Sequence, residues 1–353
     1  MNHARRSHRQ RRPDQPQECT VHAFLGHRWP LARLVSDRKR RQVERADIEP
    51  VWQMASPETF FRRGVPFDLQ ETPAWTNRKL SRVKYHLWEA YLKSFDHYRT
   101  RWTAWLKRFQ QRRQHFMQRL KTQGYIVDER IWKLDGRMVI GLGSATVWET
   151  GFVWYRTLGL PYIPATAVKG LLRAAWILDA IDTALESLPG EMDTAERRHI
   201  AERVEQWMDG KGDLPMEVSQ RKQALEQLRG QLRAYLGTTD RAGLCMCLDA
   251  IPAGVPHFKL DVMNVHYPDY YTGDATEALD TESPNPIVFL VVEQTPFVFT
   301  LGVDAVRLRM RTKTGDADPQ SLIAQWFEDL QCAAQRYGIG AKTRFGYGRF
   351  VAA

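Results

Sequence analysis

The sequence predicts an α+β protein with a helical extension before its main domain and a helical insertion within it, and three observations carry this. Strand-type and helix-type runs alternate from residue 137 to the C-terminus, a long helix-period segment precedes them, and a charged, helix-favouring stretch interrupts them. Within the alternating region, 137–142 and 151–156 read as strands, and 166–181 reads as a helix whose alanine and leucine content suits packing on a sheet. Short apolar runs follow at 244–248, 257–262, 287–292 and 297–303, with a polar loop over 274–286. A helix over 319–336 and a terminal strand near 349–351 complete the pattern. Residues 183–235 are the insertion, broken at Pro189-Gly190 and across 210–215, and are expected to lie outside the core.

The first 75 residues read as a basic, weakly structured arm with short helical pieces. Pro13, Pro16, Pro30, Pro50, Pro57, Pro66 and Pro73 interrupt candidate helices, and the run Arg38-Lys39-Arg40-Arg41 is strongly solvated. Residues 76–130 form a long amphipathic helical region. Leu80, Val83, Leu87, Tyr91, Phe95, Tyr98, Trp102, Trp105, Phe109, Phe116 and Leu120 recur at helical spacing, and Gly124 is a stop signal. This predicts one long helix or a helical pair. Its polar side carries Arg99, Arg101, Lys107, Arg108, Arg112, Arg113 and Arg119 with hardly an acid among them, which suits a solvated face or one turned to phosphate or a partner subunit. Trp88, Trp102 and Trp105 read as core positions rather than base-stacking ones.

Composition narrows the partners. The chain has 353 residues, 43% hydrophobic and 26% charged, with a formal charge of +10. A basic balance of that size attracts polyanions, nucleic acid first. Four cysteines, Cys19, Cys245, Cys247 and Cys332, are too scattered for a disulfide framework, and Cys245-Met246-Cys247 lacks zinc-knuckle spacing. The arginines near the start have no apolar run behind them, and no stretch approaches the length of a membrane span. A cytoplasmic protein without metal, cofactor or membrane is expected.

The most informative segment is 337–350, Tyr-Gly-Ile-Gly-Ala-Lys-Thr-Arg-Phe-Gly-Tyr-Gly-Arg-Phe. Gly338, Gly340, Gly346 and Gly348 permit positive φ and close approach to a ligand, while Lys342, Thr343 and Arg344 stand where a phosphate would be held. A nucleoside-triphosphate loop is a poor reading, because Lys342 follows Ala341 and the segment follows a helix rather than a strand. Residues 346–350 share part of the RNA-recognition-motif signature, with Arg349 in place of an aromatic.

This segment resembles the C-terminal glycine-rich loop of the RAMP superfamily of CRISPR proteins. Residues 162–173, Tyr-Ile-Pro-Ala-Thr-Ala-Val-Lys-Gly-Leu-Leu-Arg, are similar to that superfamily's second hallmark, with Ala165-Thr166-Ala167 where the family usually shows Gly-Ser-Ser. Leu236-Gly237-Thr238 and Leu248-Asp249-Ala250 are similar to a third block, so the resemblance spans about residues 137–353. Within the superfamily, segments including 261–263, 266–271 and 283–287 resemble the sixth-subunit family of type III-B Cmr complexes. The resemblance implies a ferredoxin-like (RRM-like) core over residues 131–353. It also implies a non-catalytic subunit that holds guide RNA near its 3′ end and caps the backbone filament, with guide RNA, target RNA and other Cmr subunits as partners. Lys169, Gly170 and Arg173 are then RNA-binding candidates beside the loop, with Thr166 able to cap the helix that carries them.

His266, Asp269, Tyr270 and Tyr271 raise the alternative of a guide-processing endoribonuclease with His266 as general base. A lone histidine beside tyrosines better suits a structural or stacking role, so His266, Tyr270 and Tyr271 join the RNA-binding candidates. A type III-A backbone subunit is a further alternative. Asp249 is expected to fix the turn after it, and Glu191, Asp193 and Glu196 to form a solvated face rather than a metal site.

Overall fold

Strand formation near the N-terminus follows from where the prolines fall. The computed structural model describes β1 (Gln17–Ala23), β2 (Pro30–Asp37), β3 (Gln42–Ile48) and β4 (Pro66–Phe67). Beyond them it describes residues 77–97, 99–144, 146, 150–265, 273, 276–277, 285–311 and 318–353. Pro30 and Pro66 open their strands, where a missing N–H is best tolerated. The four strands form an antiparallel sheet in the order β3-β2-β1-β4, with Leu34 opposite Cys19 on one side and Ala46 on the other. Here the sequence predicts helical pieces; the described residues are strands, because Thr20, Val21, Val35, Val43 and Ile48 supply β-favouring side chains between the breaks.

The chain divides into two units, one of residues 1–101, 143–160 and 258–291, the other of 102–142, 161–257 and 292–353. In the first, helix α1 (Asn77–His97) packs against β3. Leu87, Trp88, Tyr91 and Phe95 are buried along it at helical spacing, as the sequence predicts for Trp88. Trp88 meets Tyr91 edge-on at 5.7 Å, and Phe95 meets Phe258 at 5.9 Å beside Phe152 and Trp154. Lys84 is buried too, its ammonium donating to Thr150 Oγ1 at 3.1 Å.

Helix α2 (Arg99–Thr122) follows, so the predicted long segment is a helical pair, closed at Gly124 with φ +89°. The second unit is then built on β5 (Tyr125–Asp135), whose place the sequence assigned one element later: only Arg137–Met138 of the expected strand is present, as β6. The run Asp128-Glu129-Arg130 masks the alternation of β5. Of the second expected strand, β7 (Trp154–Tyr155) remains, paired with β8 (Leu160–Pro161).

Helix α3 (Ala165–Leu185) leads to an insertion of α4 (Thr194–Met208), a 3₁₀ turn over Met216–Arg221 and α5 (Lys222–Leu236). After it come β9 (Cys245–Cys247), β10 (Ile251–Pro252), β11 (His257–Val265), β12 (Asn285–Glu293) and β13 (Pro296–Asp304). Helices α6 (Ala305–Arg311) and α7 (Pro319–Arg336) precede the last strand, β14 (Arg349–Ala352). Helix α7 has the predicted bounds because Asp318 caps it, accepting from Ser321 N at 3.0 Å and Ser321 Oγ at 2.6 Å, and Pro319 fits its first turn.

The central sheet runs β10-β13-β5-β14, with β9 also paired to β13, and every pairing is antiparallel. Taking β9 and β10 as one strand position, the connectivity is β-α-β-β-α-β. On one face Trp132 stacks near Phe299 at 4.6 Å and meets Phe327 of α7 edge-on at 6.0 Å, while Phe350 closes on Phe297 and Phe299. The insertion, predicted to stay outside the core, builds a second core: Ile177, Ala180 and Ala184 of α3 pack with Val204, Trp207, Val218 and Leu225.

Side-chain parity sends Glu129 and Thr300 to the opposite face, where α2 crosses the sheet. Arg113 donates through Nε to Glu129 Oε1 at 3.0 Å and through Nη1 to the carbonyl of Asp249 at 3.1 Å, and it also bonds Thr300. Thr300 Oγ1 donates to the same carboxylate at 2.9 Å. An arginine of the predicted polar side therefore pins the helix to two strands, β5 and β13, and to the link between β9 and β10. Arg113→Ala is expected to cost about 2 kcal/mol, a fall in melting temperature of about 4–8 °C. A thermal melt equal to the parent's would remove this network from the fold's supports.

Candidate nucleic-acid interface

The glycine-rich segment is a loop sewn at its root and open at its tip. At the root, Ile339 N donates to Gly348 O at 2.8 Å, Gly348 N to Arg137 O at 2.7 Å, and Ala341 N to Val139 O at 2.8 Å. These bonds hold the two ends of the loop together and fasten both to the segment that follows β5.

Two glycines make the root possible. A Cβ on Gly340, at φ +109°, would stand 2.5 Å from Val139 O, and one on Gly348, at φ +72°, would overlap the carbonyl of Ile339. Gly338 is similarly enclosed, by Tyr347 O. The sequence assigns these glycines to close approach by a ligand. The chain's own backbone fills that space instead, and only Gly346 has nothing near its missing side chain.

The tip runs from Lys342 to Gly346. Lys342 adopts the left-handed region at φ +59° and begins a 3₁₀ turn over Thr343–Phe345, closed by Phe345 N donating to Lys342 O at 2.9 Å. Arg344 is exposed, Phe345 is 80% exposed, and the Lys342 ammonium lies 5.3 Å from the Phe345 ring centroid. Two cations, a hydroxyl and an uncovered aromatic thus share one turn. Phe345 was not among the sequence candidates, although its position inside the cation-bearing turn could have marked it.

The second candidate segment begins α3. The helix starts at Ala165 with Pro164 as N-cap, so Thr166 lies inside the first turn and makes no capping bond. Asp249 does that work from across the chain, its Oδ1 accepting from Ala165 N at 2.8 Å, and flanking bonds between Ile163 and Ala250 at 2.9 Å hold it there. The expected turn-fixing role of Asp249 is therefore a helix cap, and one N–H that an anion would have used already has a carboxylate.

Lys169 is half-buried, near enough to Cys245 and Cys247 to favour both thiolates. The hydrogen bond between the two thiols, with sulfurs 3.9 Å apart, acts more strongly, raising the pKa of Cys245 and lowering that of Cys247. Gly170 is exposed with nothing within 4 Å of where a Cβ would sit. Arg173 pairs with Asp209 at the end of α4, so its charge is engaged by the insertion. His266, Tyr270 and Tyr271, with Asp269, lie outside the described residues.

Register sets the two segments at different levels of the sheet. Arg349, just past the loop, pairs with Asp135 at the end of β5, while Ile251, just past Asp249 and Ala250, pairs with Val298 near the start of β13. Val298 faces Ile131, four residues before Asp135, so the two pairs lie at opposite edges of the four-strand order, about 14 Å across the strands and about 13 Å along them. Among the described residues no three His, Cys, Asp or Glu side chains are grouped to hold a metal ion, and no helix is long and apolar enough to cross a membrane.

Fold and site together define a mixed α/β protein whose last strand is preceded by a glycine-rooted, cation-tipped loop. The RAMP superfamily model matches residues 133–351. The chain belongs to that superfamily. It is 29% identical over 250 residues to the CRISPR system Cmr subunit Cmr6 of Pyrococcus furiosus, a match covering 62% of this chain and 66% of that protein. Among solved structures it is similar to a chain of the type III-B Cmr-beta complex bound to cognate target RNA, at 18% identity and TM-score 0.43 over 69% of this chain and 64% of that one. It is also similar to the crystal structure of Pyrococcus furiosus Cmr6, at 26% identity and TM-score 0.39 over 65% of this chain and 98% of that one.

The two kinds of glycine separate by melting. Gly348→Ala is expected to lower the melting temperature by more than about 4 °C, since backbone must move, whereas Gly170→Ala, in an open helical position, should raise it slightly. Equal melting of Gly348→Ala and the parent would show that the root is not a structural requirement.

Proposed function

We propose that this chain is a non-catalytic RNA-binding subunit of a type III-B CRISPR (Cmr) effector complex. In this reading it holds guide RNA near its 3′ end and caps the filament of backbone subunits in antiviral defence. The observation that carries the reading is the loop tip: half-buried Lys342 and Thr343 and exposed Arg344 share one turn whose root is fixed by backbone bonds. Cations on a fixed turn neutralise phosphates without reading bases, so binding is largely independent of guide sequence. The relation to Pyrococcus furiosus Cmr6 supports the assignment to a Cmr complex, with the other Cmr subunits and target RNA as partners.

In the same reading the sheet is a ferredoxin-like core. Its β-α-β-β-α-β connectivity and antiparallel order, with the first and third strands central, support this. Lys169, at the start of α3, is a separate phosphate-contact candidate, and no residue is assigned a catalytic role.

The test uses the full chain and unstructured single-stranded RNA. Lys342→Ala with Arg344→Ala should weaken binding across unrelated sequences and lower the salt slope by about 1.4, at about 0.7 per lost phosphate contact, with unchanged melting. Parent affinity and slope in the double variant would exclude the loop as the phosphate site. The same protein incubated with repeat RNA should leave it intact. Defined cleavage products, lost in His266→Ala, would replace this reading with a guide-processing nuclease.

A further inference from the structure

Helix α2 lies outside the segment matched by the superfamily model and has no aspartate or glutamate along its length. Its inner side, with Leu106, Met117, Leu120 and Arg113, is buried or half-buried. The outer side is unusual in what it exposes. Trp105 is 51% and Phe116 48% exposed, and Arg108, Arg112 and Arg119 are exposed with them.

The spacing of these five residues is 3, 4, 4 and 3. At about 100° per residue they fall on one stripe of the helix, with Trp105 and Phe116 separated by about 16 Å along its axis. Among the described residues Arg108, Arg112 and Arg119 enter no ion pair. The sequence reading placed Trp105 in the core; the structure turns it outward.

We propose that this stripe is a second binding surface, for single-stranded RNA, in which the three arginines neutralise phosphates while Trp105 and Phe116 each stack on a base. Charge complementarity selects a polyanion, and the interleaving selects one with unpaired bases. An acidic protein surface would satisfy the arginines but leave two aromatic rings bordered by guanidinium groups rather than by apolar neighbours. Single-stranded RNA satisfies both, because each base offers a π-face and each linkage a phosphate. A duplex, whose bases are stacked internally, would engage the arginines alone.

The stripe and the loop are separable by experiment. Full-length protein is titrated with a fluorescent single-stranded RNA of mixed sequence lacking secondary structure, at several salt concentrations. Arg108→Ala, Arg112→Ala and Arg119→Ala combined should reduce the salt slope by about 2, at about 0.7 per contact. Trp105→Ala and Phe116→Ala should each weaken binding about tenfold at fixed salt with little change of slope, and Trp105→Phe should bind within about threefold of the parent. Because these side chains are exposed, melting should not change, and the effects should persist when Lys342 and Arg344 are also replaced. Parent affinity and slope in the stripe variants would overturn the proposal while leaving the loop reading intact. Loss of co-purifying protein subunits without loss of RNA affinity would overturn it in favour of a protein interface, and undiminished binding of Trp105→Ala and Phe116→Ala would remove the stacking role.

Discussion

The carbonyl oxygens of Arg137 and Val139 are the anchor on which the C-terminal half of the molecule depends. They accept from Gly348 and Ala341, so the loop after α7 returns to the segment it must follow before β14 can pair with β5. Phe350, fully buried, then drops between Phe297 and Phe299. Closure of the core and shape of the loop are consequently one constraint. Glycine is required at Gly340 and Gly348 because two backbones pass where a Cβ would stand.

This division of labour bears on chemistry. A tip carrying Lys342, Arg344 and Phe345 on a sewn root gives up little conformational entropy when it meets a ligand, since the turn already has its shape. The α3 segment is organised differently. Asp249 caps that helix and Asp209 pairs with Arg173, so carboxylates already engage its start and one of its cations. Lys169, half-buried beside the paired thiols of Cys245 and Cys247, is the candidate of that segment closest in character to the loop cations.

Some of this was legible in the sequence because the signals were local. Asp318-Pro319 fixes the start of α7, and the glycine-rich segment marks both the loop and the superfamily. The rest depends on distant partners. Strand β5 is hidden by Asp128-Glu129-Arg130, whose Glu129 belongs to a network with Arg113 and Thr300. The cap of α3 comes from a residue 84 positions away. A glycine announces that a side chain is forbidden but not whether ligand or protein forbids it, so Gly338, Gly340 and Gly348 read as ligand-facing until neighbouring carbonyls are placed. Trp105 fits the apolar period of its helix as well as Trp102 does, and only the position of the sheet decides which face is covered.

The central claim is that RNA meets the tip of the glycine-rich loop. Photo-cross-linking of the full chain to single-stranded RNA, with mass-spectrometric mapping of the adducts, tests it most directly. Adducts are expected within residues 342–346, with Phe345 the foremost site because its ring is uncovered. Saturated RNA binding with cross-links mapped elsewhere and none in the loop would contradict it.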